Sequence, residues 1–167
     1  GQVSGWLHAN ARPGAILQVS QPAGDLVLDD SGTTPLVLVS AGIGITPIAA
    51  IMEDLSRRQP DRKVRLFHAD RSHEDHALYD ALRRQVLAMS DARCQMWYEE
   101  EAQEAPTLHP ARTGFMDLSD IDLPADAQVF MCGPLPFMRA ARAALMEKGI
   151  HGENIHYEVF GPDLRAQ

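Results

Sequence analysis

The tract from Leu36 to Pro47, LVLVSAGIGITP, constrains this chain more than any other. Leu36 to Val39 are apolar without a break, as in a strand covered on both faces. Gly42 and Gly44 end that pattern, and from Thr46-Pro47 the chain reads as a helix to about Gln59. Thr46 suits the N-cap. Pro47 suits the first helical position, where its missing N–H has no partner to lose. A doubly covered strand that turns through glycines into a helix calls for a parallel sheet with helices on both faces.

The rest of the chain repeats the alternation. Val64–Phe67, Cys94–Tyr98, Gln128–Cys132 and Asn154–Phe160 read as further strands. Residues 76–90 carry a helical stripe of Leu78, Leu82, Val86 and Met89. A third helix opens at Gly133-Pro134 and stops at Gly149, a left-handed C-cap. Residues 99–127 read as a loop with a turn near Leu118–Ile121. The fold class expected is α/β: a doubly wound five-stranded parallel sheet in the order 3-2-1-4-5. Its winding then reverses between the strands ending at Ser40 and Cys132, and ligands bind at that switch point. AGIGITP (41–47) and CGP (132–134) both fall there. Residues 1–34 differ. Val3, Trp6 and Leu7 form a short helical face, 15–19 alternate like a strand, and 22–25 read as a turn. This segment is too short to bury a core of its own, so it needs a partner.

Charge and cysteine usage narrow the function. Fifteen Lys and Arg against 23 Asp and Glu give a formal net charge of −8. That excludes a nucleic-acid backbone binder and docking on an anionic membrane. No apolar run reaches the roughly 18 residues of a membrane span. Two cysteines give no disulfide framework, so a reducing, cytoplasmic setting is expected. The chain opens at Gly1 without a signal peptide, as a piece of a longer protein would.

At the switch point, Gly42 and Gly44 allow backbone to approach a diphosphate, and the helix start offers unpaired N–H groups. Two glycines are equally compatible with a tight turn and no ligand, and Pro47 departs from the full dinucleotide fingerprint. Pro134 and Pro136 bring a second helix start to the same place. On the second strand, Asp70 would accept from a free ribose 2′-hydroxyl, whereas Arg71 and Ser72 favour a 2′-phosphate. The expected dinucleotide is NADH, or either form. His73 and His76 read as a solvated helix start, with no metal site expected. Glu99–Glu101 reads as solvated surface, Trp97-Tyr98 as core, and His156 as structural.

AGIGITP, CGPLPFM and HYEVFGP, in this order, resemble the ferredoxin–NADP reductase superfamily, and the closing motif is most similar to the reductase part of flavohaemoglobins. The resemblance implies an NAD(P)-binding domain over 35–167 and the remnant of an FAD-binding β-barrel over 1–34. It implies that Ala41, Gly42, Ile43, Gly44, Ile45 and Thr46 bind the dinucleotide. It places Thr46 and Cys132 beside the nicotinamide, with Gly133, Pro134 and Phe137 lining the same side. It implies that Phe160 stacks on the flavin as an aromatic gate, that Val159, Gly161 and Pro162 lie along it, and that Glu158 tunes it or moves protons. Gly1, Gln2, Val3 and Ser4 would contact the flavin diphosphate. The implied activity is electron transfer from NADH or NADPH through FAD to a haem in a globin domain outside this chain, in nitric oxide dioxygenation. The implied partners are flavin and haem domains. The fragment by itself is expected to be inactive. Two other readings compete. One is the reductase component of a multicomponent oxygenase, with an iron–sulfur acceptor. The other is a non-catalytic nucleotide-binding module, which would have no use for a flavin-facing tail.

Overall fold

The apolar run at 36–39 lies in a central strand of a six-stranded parallel sheet. The computed structural model describes all residues except 22–23, 25, 29–31, 101–110 and 160–167. β1 (Leu36–Ala41) lies between β2 (Val64–Asp70) and β5 (Gln128–Cys132). β3 (Ala92–Tyr98) flanks β2, and β6 (Ile155–Glu158) flanks β5. The five expected strands keep their expected order. A further strand, β4 (Arg112–Thr113), adds to the edge beside β3, inside the stretch expected to be a loop. Two residues carry no periodicity to read. What seats them is tertiary: the Arg112 guanidinium lies 5.5 Å from the Trp97 ring centroid.

Successive residues of β1 feed opposite cores. Leu36 and Leu38 pack with Ile48, Met52 and Leu55 of α2 (Ile45–Arg58) and with Leu82 and Val86 of α3 (Tyr79–Leu87). Val37 and Val39 pack with Met138, Ala141 and Leu145 of α4 (Leu135–Glu147). Phe130 and Met131 of β5 divide in the same way. An uninterrupted apolar run is what this double coverage demands. Each such side chain contributes about 1.5–3 kcal/mol by leaving water. The end of α4 is a Schellman motif at Gly149, whose φ is +89°. Ile150 N–H reaches Leu145 C=O at 3.1 Å, and Gly149 N–H reaches Met146 C=O at 3.0 Å.

Several local expectations are corrected. Thr46 is not an N-cap. A 3-10 turn at Gly42–Gly44 runs straight into α2, and the Thr46 hydroxyl donates back to Ile43 C=O at 2.9 Å. α3 begins at Tyr79, not at His76, because His76 is buried beneath the sheet's end and Leu78 takes a left-handed φ of +61°. Residues 15–19 form no strand, and Ile16 and Val19 project into solvent. The helical face at Val3, Trp6 and Leu7 does form, as α1 (Gln2–Asn10), but no residue of it is buried. Leu26 and Leu28 are where this N-terminal segment meets the core.

Candidate functional site: a cleft at the switch point

Both glycines after β1 are required, for different reasons. Gly42 has φ +51°, the left-handed region that a side chain resists. Gly44 is buried, and a Cβ there would lie 2.2 Å from the carbonyl oxygen of Cys132. Gly44 therefore lets the start of α2 rest directly on the end of β5. Gly133 makes the reciprocal approach, since a Cβ on it would meet Ala41 N at 3.2 Å and Phe137 Cδ1 at 2.9 Å. The two strand ends and the two helix starts are thus pressed together at one point. Neither α2 nor α4 has a side-chain cap among the described residues. The 3-10 turn before α2 already takes up the Ile45 N–H, and Pro47 and Pro136 carry no N–H, so what the two helix starts present together is the positive ends of their dipoles.

Beside this junction lies a cleft of about 550 Å³. Of the residues expected to bind cofactor, Ala41, Gly42, Asp70, Arg71, Pro134 and Phe137 line it together. Burial raises the Asp70 pKa, but hydrogen bonds from His68 and from the Arg71 N–H more than offset this, so the carboxyl is held below its ordinary range. An ionised acceptor and a flexible cation therefore share one rim.

The remaining expected residues lie elsewhere. Ile43 points outward. Ile45, expected among the dinucleotide contacts, is a core residue: its side chain is buried and its N–H already bonds the carbonyls of Gly42 and Ile43. Thr46 is half-buried and Cys132 fully buried. Cys132 sits in register with Glu158 on β6. Burial and the Glu158 charge push the Cys132 thiol up to about 11, so it stays protonated and uncharged. Val159 packs on the α4-side core. Gln2, Val3 and Ser4 lie on the exposed α1, just after Gly1. Phe160, Gly161 and Pro162 lie outside the described residues.

The structure adds to the site Ala69, Glu99, Phe115, Met116, Pro136 and Ala140, all on the cleft wall. Glu99 had read as mere surface. Phe115 offered one signal, a large aromatic just after a glycine in a polar stretch, and it is exposed at the cleft. The solvated reading of His73 and His76 is corrected. His76 is buried, with Nδ1 2.8 Å from the Tyr98 hydroxyl, and His73 packs edge-on to Tyr79. Cys94, Trp97 and Tyr98 are core residues, and His156 is held by Gln128 at 2.8 Å.

A doubly wound parallel sheet whose central strands end in two helix starts beside a cleft defines a dinucleotide-binding α/β domain. The chain belongs to the oxidoreductase NAD-binding domain family, which it matches over residues 38–143. It is 34% identical over 165 residues to a flavohemoprotein of Bordetella pertussis, covering 96% of this chain and 41% of that protein. The chain thus spans about two fifths of the curated relatives it matches. Among solved structures it resembles the FAD/NAD-binding domain of nitric oxide dioxygenase from Vibrio cholerae (TM-score 0.80, 31% identity, 96% of this chain and 65% of that one). It also resembles a flavohemoglobin from Malassezia yamatoensis with bound FAD and haem (TM-score 0.72, 35% identity, 85% of this chain and 36% of that one).

Proposed function

We propose that this chain is the NAD(P)H-binding part of a flavohaemoglobin-type nitric oxide dioxygenase. In this reading residues 35–167 are the NAD(P)-binding domain and residues 1–34 close a flavin-binding barrel. The observation that carries the proposal is the cleft at the ends of β1 and β5, where two helix starts and two close-packed glycines converge. Likeness to flavohemoproteins over nearly the whole chain supports the flavin and haem partners. When bound, the nicotinamide would supply hydride chemistry, and the FAD and a haem in a globin domain would supply the one-electron chemistry.

The chain's own residues bind and orient. The turn at Ala41 and Gly42 brings backbone close to the diphosphate, and the starts of α2 and α4 turn the positive ends of their dipoles toward it. This local arrangement lets an anion bind to a chain of net charge −8. Asp70 accepts from the adenosine ribose, while Pro134 and Phe137 wall the site. Cys132, held neutral, gives the nicotinamide end an uncharged neighbour, and Glu158 stands next to it at the sheet edge. The family resemblance assigns Phe160, Gly161 and Pro162 to the flavin. Gly1 to Ser4, with exposed Trp6, Ile16 and Val19, face the rest of the barrel. A cytoplasmic setting fits a nicotinamide-dependent enzyme, and no helix among the described residues is long and apolar enough to cross a membrane.

Rapid mixing of the full-length protein with NADH under nitrogen is expected to bleach the flavin absorbance. Later addition of nitric oxide and dioxygen is expected to yield nitrate. A flavin that stays oxidised under excess NADH and NADPH contradicts the proposal.

A further inference from the structure

A buried support stands behind the cleft wall. His68, on β2, has no exposed surface, and both of its ring nitrogens are engaged. Nδ1 lies 2.9 Å from the hydroxyl of Ser40, and Nε2 lies 3.4 Å from Oδ2 of Asp70. A carboxylate only accepts, so Nε2 carries the proton and Nδ1 accepts from the Ser40 hydroxyl. Ser40 is itself buried, stands opposite His68 in the β1–β2 register, and immediately precedes Ala41 and Gly42 of the cleft. The other carboxylate oxygen of Asp70 accepts the Arg71 N–H at 2.8 Å. Only 12% of the Asp70 side chain is exposed.

The surroundings stiffen this line. The His76 ring, from the loop before α3, lies 4.1 Å from the His68 ring and is tied to Tyr98 of β3. Burial and the neighbouring His68 hold the His76 pKa down to about 3, so it adds no charge near neutral pH. His73 packs against Tyr79 and Tyr98 on the same side. Arg71 and Glu99 complete the charged groups on the rim.

We propose that Ser40 and His68 form a positioning relay that selects a dinucleotide with an unphosphorylated adenosine ribose, by fixing the Asp70 carboxylate in the cleft wall. The proposal rests on the dinucleotide reading of the cleft. A fixed carboxylate is a ready acceptor for ribose hydroxyls and sets a like charge against a 2′-phosphate. A carboxylate free to turn away would leave the rim to Arg71, a good partner for that phosphate. The preference therefore resides in the relay as well as in Asp70 itself, although His68 and Ser40 do not line the cleft.

The test is the NADH-to-NADPH ratio of kcat/KM for flavin reduction in the full-length protein. Wild type is expected to prefer NADH. In His68→Leu the ratio should fall at least tenfold, through KM, with kcat within twofold. His68→Gln, whose side-chain amide can still donate toward Asp70, should keep most of the preference. If His68→Leu does not fold, Ser40→Ala should show the same fall in smaller degree. An unchanged ratio in the variant that folds, a fall carried by kcat, or an equal fall in His68→Gln overturns the relay. Wild type that prefers NADPH overturns the relay and leaves the cleft reading intact. Wild type that responds to neither dinucleotide overturns the cleft reading itself.

Discussion

Gly42 and Gly44 look alike in sequence and do different work. Gly44→Ala places a methyl against the Cys132 carbonyl, with backbone on both sides and nothing flexible to yield. It should lower the unfolding free energy by about 3 kcal/mol. Gly42→Ala meets no atom within 4 Å and has only its left-handed φ to bear, which costs about 1 kcal/mol. Urea unfolding of the two variants checks the order. His76 gives a second test. Its pKa falls from 6.5 to about 3 on folding. Between those values the unfolded chain binds a proton that the folded chain does not. Stability is therefore full above pH 6.5 and falls as pH drops toward 3, by up to roughly 1.4 kcal/mol per pH unit. Going from pH 7 to pH 5, wild type should lose about 2 kcal/mol more than His76→Gln. Equal losses would show that His76 titrates normally. The glycine pair was legible in sequence as a turn, but not its division of labour, because a tight φ and a close approach select the same residue. His73 and His76 read as a solvated helix start because nothing local reveals that Tyr98, on β3, waits to cover them.

Elements were most legible where both faces of a strand are buried. The run at 36–39 announces β1 because its side chains must satisfy two cores. Elements whose reason is tertiary were not legible. β4 has two residues, and its anchor is an arginine over a tryptophan. Residues 15–19 alternate properly for a strand, yet among the described residues no strand stands beside them, and alternation without a partner leaves a strand's hydrogen bonds unmade. The same condition applies to α1, which buries nothing. Trp6→Ser and Ile16→Ser should therefore leave the unfolding free energy of this chain within about 0.5 kcal/mol of wild type. A loss above 1 kcal/mol in thermal or urea unfolding would show that the segment packs on the domain.

At the scale of the whole molecule, the architecture places the cleft at one end of the sheet. The sheet winds in opposite directions from β1, and there the starts of α2 and α4 meet at the ends of two neighbouring strands. The place of the cleft could be read from strand order and from the tracts AGIGITP and CGP. Half of its wall could not. Phe115 and Met116 arrive from the connection after β4, and Ala140 from the second turn of α4, by contacts that no periodicity encodes. The net charge of −8 makes binding there a demanding test, since the overall field opposes an anionic ligand. The most direct measurement is a calorimetric titration of NADH into wild type and into Ala140→Trp, which fills the cleft from an exposed position outside both cores. A dinucleotide-binding cleft predicts one-to-one binding in wild type, weakened at least tenfold in Ala140→Trp with an unchanged unfolding midpoint. No binding by wild type at millimolar NADH, or equal binding by both proteins, would contradict it.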